Sequence, residues 1–436
     1  MANTRTSELE LQAYAAHDSR GKPTVAVRLS LGEISTVGDV PAGASKGEDE
    51  AQTRPVPEAI QAVHEVIRPL LRTVDLDLSR HASLVALERL LIARGGDNYR
   101  ELPANAVVPV SRALWRLAAR LHGLELYEYL RRVLPGPGTS PRVHFFMNIF
   151  NGGLHALKRD AGERLGVDRI DIQEIMVVPV RFTDYGEALA MGERIDAALE
   201  GLLRDRFPAP AITRGDEAGF TVKGLGSSTE AIGLVFAASE AAGYTPGQDV
   251  QLALDVAASS FFDPQAGVYH FQGQQLRSAD LIRYYVELVT QYPGKILSIE
   301  DGLAENDWDG WTDLTAALQP RGVQTIGDDL FVTQLPRLEQ GLARRAATAI
   351  LIKVNQNGSL LGTLDVIGRA HEAGLHCVVS HRSGETLDDS IADLALATGA
   401  FGLKTGDPQP ARAFPDPESW VRRAKYLRMV AMEQRG

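Results

Sequence analysis

The chain has 436 residues, more than one ordinary domain holds, and 44% of them are hydrophobic, enough for a large core. A formal net charge of −11 argues against a nucleic-acid partner or an anionic membrane surface, because phosphate groups reward net positive charge. The single cysteine, Cys377, excludes an intramolecular disulfide framework and points to a reducing, cytoplasmic setting. It lies in the apolar run LHCVVS, where an inert buried thiol is expected. No apolar run approaches ~20 residues and the first residues lack a signal-peptide core, so no membrane partner is expected.

Residues 7–40 alternate as strands do, in LELQAYAA, TVAVRLSL and ISTVGDV. The loop PAGASKGEDEA (41–51) follows, its Gly and Ser residues permitting unusual backbone angles. From Pro57 to Leu130 apolar residues recur at helical spacing, as in LVALERLLIA. Strands followed by helices predict an α+β domain over 1–138, ending in the linker Pro135-Gly136-Pro137-Gly138. From Val143, strands alternate with helices such as GEALAMGERIDAALEGLLRDRF, and WVRRAKYLRMVAMEQ is a final amphipathic helix. This second domain, 139–436, reads as α/β.

Six strand-like runs in this domain each end in a residue able to do chemistry: Asp255, Glu300, Asp328, Lys353, His381 and Lys404. The gaps between them are 45, 28, 25, 28 and 23 residues, the rhythm of one strand plus one return helix. Such strands are expected to be parallel and to close into a barrel with its chemistry at the C-terminal strand ends. Three carboxylates converging there repel unless a cation holds them. Hard oxygen ligands without a nearby His or Cys pair favour Mg²⁺ over zinc.

A dozen motifs in order then spell a family. Asp18-Ser19-Arg20-Gly21, GAS (43–45), NGGLHA (151–156), DIQE (171–174), GDEAGF (215–220), LDVAAS (254–259), SIEDGL (298–303), DWDGW (307–311), GDDLFVT (327–333), LIKVNQNGS (351–359), SHRSGET (380–386) and KTG (404–406) together resemble enolase. The resemblance implies an N-terminal α+β domain capping a β/α barrel that opens with a ββαα unit. It implies Mg²⁺-dependent, reversible dehydration of 2-phosphoglycerate to phosphoenolpyruvate through an enediolate, by a homodimer acting on a small phosphorylated acid.

By that resemblance Asp255, Glu300 and Asp328 are the ligands of a first Mg²⁺. Lys353 is the base that removes the C2 proton, with its pKa lowered by a second cation such as Lys404. Lys404 contacts the substrate carboxylate. Glu217 helps the hydroxyl depart, with Glu174 beside it raising one pKa of the pair. His155, His381, Arg382 and Ser383 contact substrate, and Ser45 closes over the phosphate with a second Mg²⁺. Asp329, next to Asp328, is expected to cap the following turn.

The chain also departs from the family pattern. Lys46 replaces a threonine, about ten residues are inserted after His155, Leu154 and Ala218 stand in NGGLH and GDEAGF, and Asp407 follows KTG. Positions that carry inter-subunit ion pairs in the family hold Tyr14, Ala26, Ala431 and Gln434. These changes keep two other readings open. One is a paralogue acting on a carboxyphosphonoenolpyruvate-like compound, perhaps as a transferase. The other is a non-catalytic scaffold, against which the complete catalytic set argues.

Overall fold

The structure, a computed structural model, describes residues 4–43, 47–134, 140, 142–156, 170–409 and 417–435. The expected linker at 135–138, Ser45, Lys46 and nearly all of the inserted segment fall outside the described residues. The three early runs form an antiparallel meander, Glu10–His17, Pro23–Leu31 and Ile34–Asp39. Its apolar face packs on the helix Ala104–Leu121, whose residues are buried over most of its length. Strands on one side and helices on the other give this domain one core.

All six predicted barrel strands are present, and each pairs with the next in parallel: Val250–Asp255, Ile296–Glu300, Gln324–Gly327, Ala349–Ile352, His376–Ser380 and Gly402–Lys404. Two more strands, His144–Asn151 and Glu174–Pro179, complete a closed ring of eight, with Gly402–Lys404 pairing back to His144–Asn151. Glu174–Pro179 runs antiparallel to both of its neighbours. The barrel therefore opens ββαα, the two helices being Tyr185–Arg206 and Ser228–Ala241. Side chains such as Phe146, Met176, Ile326, Leu351 and Val378 fill its interior, so the ring is a packed core and its chemistry is confined to the mouth. A short hairpin, Ile212–Arg214 with Phe220–Val222, hangs from His144–Asn151 through Phe150 and Phe220. Cys377 is buried in its strand, and burial pushes its thiol up, as expected of an inert one. Among the described residues no helix is long and apolar enough to cross a membrane.

The capping domain is joined to the barrel by polar groups as well as by apolar packing. Ser111 Oγ donates to Glu88 Oε2 at 2.7 Å and accepts from the Leu360 amide at 2.9 Å, at the start of the barrel helix Leu360–Glu372. Burial pushes the Glu88 carboxyl up to about 7, against hydrogen bonds from Ser111 and Leu361 that lower it. Folded Glu88 thus keeps a proton that the unfolded chain releases near the ordinary value of 4.5. Stability accordingly declines as the pH rises from about 4.5 to about 7 and levels off above, by roughly 3 kcal/mol. In Glu88→Gln this decline is absent. The variant's urea midpoint, compared with that of the wild type, is expected to rise between pH 5 and pH 8. A midpoint difference independent of pH would remove Glu88 as the source.

Candidate active site

The barrel brings the predicted residues to one mouth. Asp255, Glu300 and Lys404 are the last residues of their strands, and Asp328, Lys353 and His381 each follow a strand end by one. Glu174 reaches the same mouth by the opposite route. It is the first residue of the antiparallel strand, and the register sets it directly against Asp255 on one side and Asn151 on the other.

The two lysines neutralise these carboxylates. Lys404 Nζ lies 2.8 Å from Asp255 Oδ2, 2.8 Å from Glu300 Oε1 and 3.1 Å from Glu174 Oε2. Lys353 Nζ pairs with Asp328 Oδ2. Burial, then Asp255, pushes the Glu300 carboxyl well above the ordinary range. Lys404 is itself raised, since its three carboxylates outweigh burial. The expected lowering of Lys353 is not found. Burial, Arg382 and Lys404 do lower it, but the adjacent Asp328 prevails and holds it protonated.

Asp255, Glu300 and Asp328 are oxygen donors of the kind a hard divalent cation takes, although they are not a group whose ligand oxygens already lie within 4.8 Å of one another. All three are buried oxygen donors, and Glu300 Oε2 is buried with no hydrogen-bond partner among the described residues. Asp329 does not cap the turn as expected. The Asp301 carboxylate does so, accepting from the Asp328 and Asp329 amides at 2.8 and 2.9 Å. Asp329 instead joins Asp301 and Asp328, with one oxygen of each within 4.8 Å of the others, and burial followed by Asp328 pushes it up to about 7.

On the other wall stand Glu174, Glu217, His155 and His381. His155 Nδ1 lies 3.4 Å from Glu174 Oε1, and His381 Nε2 lies 3.1 Å from Glu217 Oε2. Arg422, from the last helix, places Nη1 2.6 Å from His381 Nδ1. A guanidinium can only donate, so Nδ1 accepts and the ring proton sits on Nε2, facing Glu217. Burial brings the His381 imidazole down to about 4, so the ring is neutral at pH 7. Burial alone would raise Glu217, but His381, His155 and Arg422 outweigh it and hold the carboxyl below its usual range. Glu174 is pushed well above that range by burial and then by Glu217. The proton of the carboxylate pair therefore rests on Glu174, a choice that the sequence alone leaves open.

Arg382 and Ser383 line the same cleft. Arg382 holds Glu50 of the capping domain through Nη1–Oε2 and Nη2–Oε1 contacts of 3.1 and 3.0 Å. Their loop is fastened to the capping domain: Ala42 and Gly384 exchange backbone hydrogen bonds of 2.9 Å, and the Ser19 amide donates to Glu385 O at 2.7 Å. A Cβ at Gly384 would collide with Asp18 and Arg20 of the DSRG motif, which is why glycine stands there.

Two family models cover this chain: "Enolase, N-terminal domain" matches residues 9–130 and "Enolase, C-terminal TIM barrel domain" matches 141–434. The chain belongs to the enolase family. Proteins named enolase from Corynebacterium kroppenstedtii and Acidothermus cellulolyticus are 38% and 41% identical to it. The alignments cover 98% and 96% of this chain, and 95% and 92% of those proteins. Enolases are carbon–oxygen lyases, and the acidic groups at this mouth suit the divalent metal that the family suggests.

Sequence reasoning missed Asp301, Glu50 and Arg422. Asp301 and Glu50 could have been suspected from their places inside SIEDGL and the loop after GAS. Arg422 sits in a helix whose amphipathic pattern gives no sign of a buried guanidinium. The cation fit leads to a binding prediction. Mg²⁺ added to chelated protein raises its melting temperature, by the equivalent of about 2.7 kcal/mol at 100 times the Kd. Asp255→Asn and Glu300→Gln abolish most of that rise. Scanning fluorimetry with and without Mg²⁺ measures it, and an undiminished rise in both variants would move the metal elsewhere.

Proposed function

We propose that this chain catalyses the reversible Mg²⁺-dependent dehydration of 2-phosphoglycerate to phosphoenolpyruvate. One observation carries the reading: a lysine–carboxylate group and a carboxylate–histidine group line a single cleft and meet where Lys404 touches Glu174. The first group suits proton removal next to a carboxylate. Lys353 takes the C2 proton, and the ammonium of Lys404 meets the charge that accumulates on the substrate carboxylate. Asp255, Glu300 and Asp328 would hold Mg²⁺, which would supply further positive charge beside the substrate carboxylate. Once Asp328 is engaged in that way, burial, Arg382 and Lys404 favour the free amine a base requires, and Asp329 is left to oppose them.

The second group suits departure of the C3 hydroxyl. The hydroxide needs one proton to leave as water. Glu174, Glu217 and His155 have ligand atoms within 4.8 Å of one another, and Glu174 keeps a proton among them. Glu174 supplies that proton, and Glu217, held between Asn148 Nδ2 at 3.3 Å and His381, relays it to the departing hydroxyl. Arg382 and Ser383, together with Ser45, bind the phosphate. A bidentate guanidinium suits that group, and Glu50 now occupies its fork. The protein is taken as a cytoplasmic homodimer.

Turnover of 2-phosphoglycerate with Mg²⁺, lost on chelation, is the direct test. In the same assay a phosphonate analogue of phosphoenolpyruvate competes as substrate. A marked preference for it would assign the chain to the specialised reading that Lys46 and the inserted segment suggest. Within the reaction, Lys353→Ala is expected to stop exchange of the C2 proton with solvent, with kcat falling at least about 10³-fold. Glu217→Gln retains the exchange and loses dehydration. Deuterium incorporation followed by NMR separates the two, and ordinary exchange in Lys353→Ala would remove it as the base.

A further inference from the structure

We propose that Arg214, anchored by Asp196 and Asp407, is a positioning residue that holds Glu217 in the backbone conformation from which it faces the cleft. This rests on the reading of Glu217 as part of the acid wall. Glu217 and Ala218 are consecutive non-glycine residues in the left-handed region, with φ of 67° and 66°. Neither residue type favours that region, and such conformations persist where surrounding structure over-determines them. Here the over-determination can be traced atom by atom.

The two residues lie in the turn of the short hairpin, between Arg214 and Phe220, which pair in register. Arg214 Nη1 donates to Ala218 O at 2.8 Å, and its guanidinium carbon lies 3.5 Å from the centre of the Phe220 ring. The Asp407 amide donates to Glu217 O at 3.0 Å. The carbonyls of both left-handed residues are thereby tied. The tie is itself anchored: Asp196 binds the guanidinium through both oxygens, at 2.9 and 2.8 Å, and Asp407 Oδ2 lies 2.5 Å from Nη1. Asp196 belongs to the helix Tyr185–Arg206, and Asp407 follows Lys404 by three residues. Both carboxylates are fully buried. A buried acid pair facing one cation is costly to keep unless its geometry serves a purpose. Asp407 and Ala218 are two of the positions at which the sequence departs from the family motifs. The alanine raises the need for a clamp, and Asp407 helps to form one.

The test uses the full chain and measures both half-reactions. In Arg214→Met the turn relaxes, dehydration kcat falls about 10- to 100-fold, and KM and C2-proton exchange stay within about three-fold, because the lysine wall is untouched. Adding Ala218→Gly lets the turn form without the clamp, so Arg214→Met/Ala218→Gly recovers dehydration to within about three-fold of wild type. A merely structural role predicts instead that exchange and dehydration fall together and that glycine restores neither; that result overturns the proposal. If Arg214→Met does not fold, Arg214→Lys, which keeps the charge and loses the fork, carries the same comparison. Should the wild type turn over no phosphorylated acid, the function reading fails, and crystal structures decide the clamp independently. Relaxation of φ at Glu217 or Ala218 in the Arg214 variant supports it, and an unchanged turn overturns it.

Discussion

Four carboxylates, Glu174, Asp255, Glu300 and Asp328, are buried together at one end of the barrel, and the arrangement of the site follows from keeping them there. Like charges a few ångströms apart in a medium less polarisable than water repel strongly, and each also loses its hydration. Lys404 meets this demand by touching three of them, and Lys353 meets it by pairing with the fourth. Removing either lysine would leave buried negative charge uncompensated, so these ammonium groups support the fold as well as the chemistry. The raised carboxyls of Glu174 and Glu300 answer the same demand by retaining protons. A mouth that readily holds extra protons or cations is well suited to receiving a metal ion and to stabilising a substrate that gains negative charge as it reacts.

The capping domain is a working part of this site. Glu50 sits in the fork of Arg382, and Ser19 and Ala42 tie down the loop that carries Arg382 and Ser383. A polar seam runs across the same junction, where Arg116 grips Asp388 at 2.5 Å and Asp389 at 2.9 Å. The opposite charges of the seam offset the burial that would otherwise raise Asp388. A barrel expressed without its cap would lose both the anchoring of the loop that carries Arg382 and Ser383 and the partners of these buried charges.

Much of this was legible in the chain. The βα rhythm gave the six parallel strands, because each step needs a strand, a helix and two short loops, and the charged residue closing each run marked the mouth. The reversed strand Glu174–Pro179 was not visible from rhythm, since an all-buried run reads alike in either direction; only the family likeness implied it. Lys353 shows a different limit. Its type and position were evident, but its protonation depends on whether Asp328 is free to pair with it. Asp329 and Asp301 are neighbours of equal chemistry, and which one caps the turn depends on a backbone angle, φ of 43° at Asp301, that no spacing reveals. The Arg214 clamp joins residues 196, 214 and 407, whose proximity exists only once the hairpin has folded against the barrel.

The reversed strand also affects how this protein can diversify. Glu174 is fixed by its register against Asp255, while the chain leading to it leaves the barrel after Asn151 and returns at the rim. The connection between Asn151 and Glu174 can change in length without shifting either strand, because both are held by pairing to their neighbours. A barrel of uniformly parallel strands would offer such freedom only in loops leading to a helix. Here the connection begins beside Asn151 and ends beside Glu174, two residues set against each other in register, so its length is free to vary while that register holds.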